Sequence, residues 1–465
     1  MTLRTPDEYR AGLRDGRRVV YQGERVADVT AHPQLAPAVG HSALGYAIHD
    51  SHPDLAVADV GGEPTSAFWV PPRSIDDLRR RGRLIEQVSR LGGGTIVLKE
   101  VGSDALFALL RATAGQGREN AEAFAARVAR EDLALAVAQT DVKGDRSLGP
   151  SAQKDPDLYL RIVDEDADSI TVRGAKTHTS FSANADEIVV LPTRAMGRDD
   201  RDWAVSFAVP ADTPGLTLYV SPFSEGDPNT FEHPLSSRHK LLESLTVFDD
   251  VRVPKDRVFL NREPERAGPL ALAFVDFHRF TAINYKLPLL DMVVGSAVLM
   301  AEANGIAKAG HVRAKLTELI TWAETVRSLA ELSALRGADD NGVFRPDPLT
   351  VNMAKYHFAH GYGAATAHLV DLAGGLLITG PGVGDWDNPE VRSVLEKYYA
   401  GAVPGEERLR IANFVSDLTA RAYGGYQRVL ATHAEGSFEA EKLQILREFD
   451  STRAVAYVRD LAGLG

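Results

Sequence analysis

Apolar residues recur at three- and four-residue spacing near both ends of the chain, and in the middle the spacing shortens to two. Residues 74–91 (SIDDLRRRGRLIEQVSRL) open on a serine with aspartates in the first turn. They place Ile75, Leu78, Ile85, Val88 and Leu91 at helical intervals, which predicts a capped amphipathic helix. Residues 104–114 and 119–137 read as further helices, and the opening stretch as mainly helical. From about residue 139 the pattern changes. Residues 158–163, 170–173, 187–191, 203–209, 216–220 and 245–248 read as short strands, with turn-rich pieces at 210–215 and 221–234. Beyond Gly268 the helical spacing returns over 270–305, 311–336, 349–374, 390–399 and 406–423, enough to bury one another as an antiparallel bundle. The order is therefore a helical domain over 1–138, a β-barrel or sandwich over 139–268, and a helical bundle over 269–465: an α+β chain.

The composition narrows this picture. The 465 residues include no cysteine, which excludes disulfides, thiolate nucleophiles and Cys-ligated zinc or iron–sulfur centres. A formal charge of −12 argues against general nucleic-acid binding. The N-terminus is polar and charged, and the most apolar run, 287–301, is interrupted by Asp291 and too short to span a bilayer. The expectation is a cytoplasmic protein.

No HExxH, P-loop, GxSxG or strand-borne GxGxxG motif occurs. The glycines of 380–384 (GPGVG) follow a helix and read either as a loop or as a phosphate cradle. The densest polar segments are 139–156 (QTDVKGDRSLGPSAQKDP) and 173–184 (RGAKTHTSFSAN). Taken alone, each suits a solvated connector or turn as well as a ligand site.

Together with residues 9–33, 202–212 and 248–260, these two segments resemble the flavin-dependent 4-hydroxyphenylacetate 3-monooxygenase family, and most closely its 4-hydroxybutyryl-CoA dehydratase branch. The resemblance covers nearly the whole chain. It implies an acyl-CoA-dehydrogenase-like fold: an N-terminal helical domain, a middle β-barrel carrying a flavin loop, and a C-terminal four-helix bundle that also serves oligomerisation. It also implies extended FAD between barrel and bundle, so a missing Rossmann motif is no objection. On this resemblance Gln139, Thr140, Lys143, Gly144, Asp145 and Arg146 lie beside the flavin ring, and Lys176, His178 and Thr179 approach its other edge. His433 and Gly436 belong to a loop (HAEGS) like the family's His-Gly-Ala-Gly-Ser loop. Flavin sites in this fold are completed across subunits, implying a homotetramer built as a dimer of dimers.

The chain departs from both branches of the family. The dehydratase branch holds a [4Fe–4S] cluster with three Cys and one His. Those positions fall at Ile96, Glu100, Tyr285 and His278, so only the His remains. The branch's catalytic glutamate falls at Leu430. The phenol-binding Arg, Tyr and His of the hydroxylase branch fall at Glu100, Asp104 and Val137. Glu100 and Asp104, one helical turn apart, suit a cation, an amine or a donor-bearing substrate; alternatively Asp104 caps a helix and Glu100 is solvated. His278 reads as a packed relic, as an acid–base group near the flavin with Arg279 beside it, or as a metal ligand with Glu100 and Tyr285; no metal is expected. The implied activity is an FADH2-dependent monooxygenase acting through a flavin C4a-hydroperoxide, fed by a separate NAD(P)H:flavin reductase. His278, His178 and Arg279 would be its catalytic groups, and Glu100, Asp104 and Tyr285 would line the substrate. The alternatives are cluster-free flavin chemistry on an acyl-CoA (dehydrogenase, dehydratase or isomerase) and a flavin-free binding or scaffold protein.

Overall fold

The computed structural model describes residues 3–222 and 229–464. Residues 223–228 of the turn-rich stretch expected at 221–234 therefore lie outside the described residues.

The N-terminal part is mainly helical, but it holds two strand pairs that periodicity missed, one of them Val57–Val60 with Glu63–Ser66. Val19–Tyr21 and Glu24–Val26 form a hairpin, and Val19–Tyr21 pairs parallel with Leu216–Val220. The first helical region thus lends two strands to a six-stranded sheet. Its order is Glu24–Val26, Val19–Tyr21, Leu216–Val220, Glu243–Pro254, Ser169–Ser180, Arg161–Glu165. A four-stranded sheet follows the order Val258–Asn261, Val205–Pro210, Glu187–Val190, Leu135–Ala138. The two sheets face each other, with Phe207 and Phe248 in edge-to-face contact at 5.8 Å.

The helix expected over 119–137 is two elements. Gly115–Glu131 is helical; Asp132 then takes a left-handed conformation (φ 49°) and ends it. The Asp132 carboxylate is held by Trp69 Nε1 at 2.7 Å and Lys99 Nζ at 2.6 Å. Leu135–Ala138 follows as a wholly buried strand, whose continuous apolar run cannot be told from buried helix by spacing alone. The helix expected from Asp104 instead starts at Leu98 and runs to Ala112. Ser74 does cap Ile75–Leu91, its hydroxyl accepting from the Asp77 N–H at 3.2 Å.

In the bundle, the single helix expected over 270–305 is broken at Lys286 into Pro264–Tyr285 and Leu287–Ala303, with Pro288 in the first turn of the second. Gly310–Leu335, Pro348–Ala373 and Gly405–Thr419 complete the packing. The stretch expected over 406–423 ends at Thr419, and Ala422–His433 begins anew. Two last helices, Phe438–Glu448 and Thr452–Leu461, close the chain; the final one buries no residue. One apolar core runs unbroken from the N-terminal helices through both sheets to Pro264–Tyr285, and a second fills the bundle. Among the described residues no helix is long and apolar enough to cross a membrane.

Candidate active site

The Leu98–Ala112 and Pro264–Tyr285 helices pack side by side where the two cores meet, and Ile75–Leu91 lies against the second of them. Phe107 and Phe277 seal the first contact at 5.3 Å. Polar side chains that face this seam are cut off from water, so each must find a partner within it.

Asp104 is mid-helix, fully buried, and does not cap anything. Its Oδ1 accepts from Arg81 Nη2 at 2.7 Å and from the Thr281 hydroxyl at 2.8 Å. Its Oδ2 lies 3.0 Å from His278 Nδ1. The imidazole stacks on Phe274 at 4.8 Å, so its plane is fixed as well as its edge. His278 keeps some exposure, and its Nε2 has no hydrogen-bond partner among the described residues.

Glu100 is buried too, not solvated. Its Oε2 accepts from the Val97 N–H at 2.7 Å, closing the first turn of the helix, and Oε1 accepts from Ser89 Oγ at 3.2 Å. Burial outweighs both bonds and holds its carboxyl proton well above the usual range.

Tyr285 joins a buried ionic cluster. Its hydroxyl donates to Glu435 Oε1 at 2.5 Å and accepts from Lys286 Nζ at 2.7 Å, while Lys286 Nζ reaches Glu435 Oε2 at 2.8 Å. Burial alone would raise the Glu435 carboxyl, but Lys286 and Lys355 overcome it and bring it down to about 2, so Glu435 is ionised. Burial pushes Lys286 down to about 8, leaving it charged at neutral pH. Arg279 is nearly buried; it donates to the Glu435 carbonyl at 2.9 Å and to Asn352. A Cβ at Gly436, where φ is +115°, would collide with Arg279 Nη2, so only glycine lets this loop lie down.

The expected substrate-facing trio of Glu100, Asp104 and Tyr285 is therefore turned into the protein, each residue at most 1% exposed. Arg279 is likewise engaged in holding a loop. The alternative of His278 as a metal ligand with Glu100 and Tyr285 does not suit the geometry, because Glu100 is bonded to Val97 and Ser89 and Tyr285 to Glu435 and Lys286.

The second polar region lies at the rim of the β-sheets. The AKTHT segment is strand rather than turn, part of Ser169–Ser180. Thr177 N donates to the Thr140 carbonyl at 2.8 Å, which sets Gln139 and Thr140 beside the strand. Lys176 points inward, paired with Asp141 at 2.9 Å and donating to the Gln139 and Leu191 carbonyls, so its ammonium is used inside the β domain and not at the rim. Lys143 and His178 both adopt positive φ and stand at the rim. Burial and the Lys143 charge lower the His178 pKa, and burial lowers that of Lys143. Gly144 (φ +48°) has Gln153 Oε1 and Leu158 where a side chain would go. Asp145 binds the Ser147 N–H at 2.9 Å, Arg146 is exposed, and His433 is exposed at the end of its helix. Thr179 Oγ1 is buried and has no hydrogen-bond partner among the described residues. A buried hydroxyl without a protein partner calls for a water or a bound group.

Ala422–His433 spans both regions. Tyr426 donates to the buried Glu243 carboxyl at 2.9 Å, and Tyr423 donates to the Gly93 carbonyl at 2.5 Å. The 380–384 glycines are not a phosphate cradle: the Val383 N–H is taken by Glu232 at 2.9 Å and Gly382 by Asp385.

Helices, two face-packed sheets and a bundle in this order define an acyl-CoA-dehydrogenase-like flavoprotein architecture. Among solved structures the chain superimposes on an oxygen-tolerant archaeal 4-hydroxybutyryl-CoA dehydratase from N. maritimus with TM-score 0.93 at 30% identity, covering 100% of this chain and 96% of that one. It matches the HpaB oxygenase component of 4-hydroxyphenylacetate 3-monooxygenase, solved with FAD, with TM-score 0.91 at 25% identity and 98% coverage of both. Residues 5–260 match the N-terminal and residues 267–463 the C-terminal 4-hydroxyphenylacetate 3-hydroxylase family descriptions, and the chain belongs to that family. Its relatives divide between two chemistries. It is 31% identical to 4-hydroxybutyryl-CoA dehydratase/vinylacetyl-CoA-Delta-isomerase of Clostridium aminobutyricum, over 99% of this chain and 100% of the relative. It is 29% identical to the 4-hydroxyphenylacetate 3-monooxygenase oxygenase component of Thermus thermophilus, over 88% and 86%.

Glu435, Lys286, Arg81 and Thr281 were not among the residues singled out by sequence. The one available signal was an acid standing where the resembled loop has a small residue, in a chain that also has Tyr at a cysteine position.

Proposed function

We propose that this chain is the oxygenase component of a two-component monooxygenase. It would use FAD, received as FADH2 from a separate NAD(P)H:flavin reductase, and place one oxygen atom of O2 into a small organic substrate. The overall balance is substrate C–H plus O2 plus FADH2 giving substrate C–OH, water and FAD. The observation that carries this reading over dehydration is the Tyr285–Glu435–Lys286 cluster. It fills one ligand position of the dehydratase branch with a hydroxyl already bonded on both sides.

The residues present fit the flavin. The orphaned Thr179 hydroxyl offers a hydrogen bond, and Lys143 and His178 are held at the rim by positive-φ backbone. Gln139 and Thr140 supply further polar groups, while Asp145, Arg146, Lys176, His433 and Gly436 act by shaping the turn and loops around them. Reduced flavin supplies the two electrons that activate O2. His278 takes up or returns a proton at Nε2. Tyr423 and Tyr426 tie the Ala422–His433 helix across the site and keep water out. Arg279 acts through the loop it holds. The protein would work in the cytoplasm as a homotetramer, a dimer of dimers. The Thr452–Leu461 helix supports assembly, since Val455, Val458 and Leu461 stand 50%, 62% and 70% exposed on one face.

The test is to load the protein with FADH2 under argon, admit 18O2, and screen phenols and amines for a product carrying the label. A labelled product supports the reading. The second reading, oxygen-independent flavin chemistry on a thioester, rests on 31% identity to the dehydratase along the full chain. Conversion of 4-hydroxybutyryl-CoA without O2 would favour it and overturn the first.

A further inference from the structure

We propose that Asp104 is a positioning residue that fixes His278 as the Nδ1–H tautomer, leaving Nε2 as a hydrogen-bond acceptor toward the open side of the seam. This deepens the reading above and rests on it only for the reaction served. The geometry leaves little choice. Asp104 Oδ1 is saturated by two donors, Arg81 Nη2 at 2.7 Å and Thr281 Oγ1 at 2.8 Å. Oδ2 therefore meets His278 Nδ1 alone, at 3.0 Å, and a carboxylate can only accept there. Ring rotation to swap the nitrogens is opposed by the Phe274 stack at 4.8 Å. Arg81 is itself nearly buried and lies over the Phe107 ring at 4.9 Å, so the whole chain of contacts is rigid. An imidazole whose Nδ1–H is held by a carboxylate presents a basic Nε2. Such a site takes a substrate that donates a hydrogen bond, an O–H or N–H, at that nitrogen.

Asp104→Asn tests this because the substitution changes donors without changing shape. Arg81 and Thr281 require an acceptor at Oδ1, so the asparagine carbonyl stays with them and its NH2 faces His278. Nδ1 must then accept, and the proton moves to Nε2. The readout is the tautomer of His278 in flavin-free full-length protein labelled with 13C,15N-histidine, by solid-state NMR, the signal being identified by its loss in His278→Gln. Nδ1–H in the wild type and Nε2–H in D104N support the proposal, whatever the reaction proves to be. Nε2–H in the wild type, or one tautomer in both, overturns it, and the wild-type spectrum decides even if D104N fails to fold. Where labelled product is obtained, D104N should lower kcat about 100-fold with flavin affinity unchanged. Full kcat in a D104N protein with the switched tautomer would overturn the catalytic part and leave the monooxygenase assignment intact.

Discussion

Tyr285 and Glu435 lie 150 residues apart in sequence and share a hydrogen bond of 2.5 Å in the core. Lys286 binds both partners, so removing any one of the three leaves the others short of a bond in a place water does not reach.

Glu435→Gln should be the most damaging change in this cluster. It keeps the volume and an acceptor for Tyr285 but leaves Lys286 charged, buried and without its counter-ion. Breaking a buried pair in this way costs about 3–5 kcal/mol. Urea unfolding should show the unfolding free energy fall by that amount through a lower midpoint at unchanged m-value, whereas Tyr285→Phe should cost only about 1–2 kcal/mol.

Gly436→Ala addresses the same loop through its backbone. The residue sits at φ +115°, and the added methyl meets an arginine pinned by Glu435 and Asn352. A loss of about 2–3 kcal/mol is expected. Thermal melting of the variant beside G436A/R279K, in which the obstructing guanidinium is gone, checks the cause: the double variant should recover part of the loss.

Thr179→Val separates stability from cofactor binding. The hydroxyl has no hydrogen-bond partner among the described residues, so replacing it with a methyl should leave the flavin-free fold equally stable or firmer by up to about 1 kcal/mol. FAD affinity, followed by quenching of its fluorescence, should weaken about 5- to 10-fold, the value of one hydrogen bond. Unaltered affinity would remove Thr179 from the flavin site.

Acid should destabilise the protein well before its surface carboxylates protonate. His41 and His239 stand 5.7 Å apart, and burial pushes them down to about 4 and about 3 from 6.5. Their folded values are depressed, so between about pH 6.5 and 4 the unfolded chain binds more protons. The stability they contribute is complete above about pH 7 and is lost as the pH falls. Each ring costs up to about 2 kcal/mol by pH 5. Urea midpoints at pH 7 and pH 5 measure this; because burial also holds His49 down to about 4, His41→Gln should flatten the slope by roughly a third.

Much of the fold was legible because helices and exposed-face strands carry their period in the sequence; Gly310–Leu335 and Pro348–Ala373 were expected to within a residue at each end. What was not legible depended on partners far along the chain. Val19–Tyr21 is a strand because Leu216–Val220 pairs with it, and three residues hold no period. Leu135–Ala138 reads as helix because every position is apolar, which follows from burial on both faces. At the site, the resemblance singled out His278, which the structure sets against Asp104, but the exposure expected of Asp104 and Glu100 is not what the fold gives. Acids on successive turns look solvent-facing until Arg81 and Ser89, from another helix, are found bonded to them. Glu435 was hidden for the same reason.

The Thr452–Leu461 helix touches nothing that would bury it. Ten residues are fewer than an isolated helix needs to persist in water. In the proposed homotetramer its order would be supplied by mass action, from the partner surface that covers it, and should rise and fall with protein concentration. Cleavage at Arg453 and Arg459 by trypsin would report this directly. Diluted protein should lose its last dozen residues first, making the chain terminus a gauge of how much of the assembled form is present.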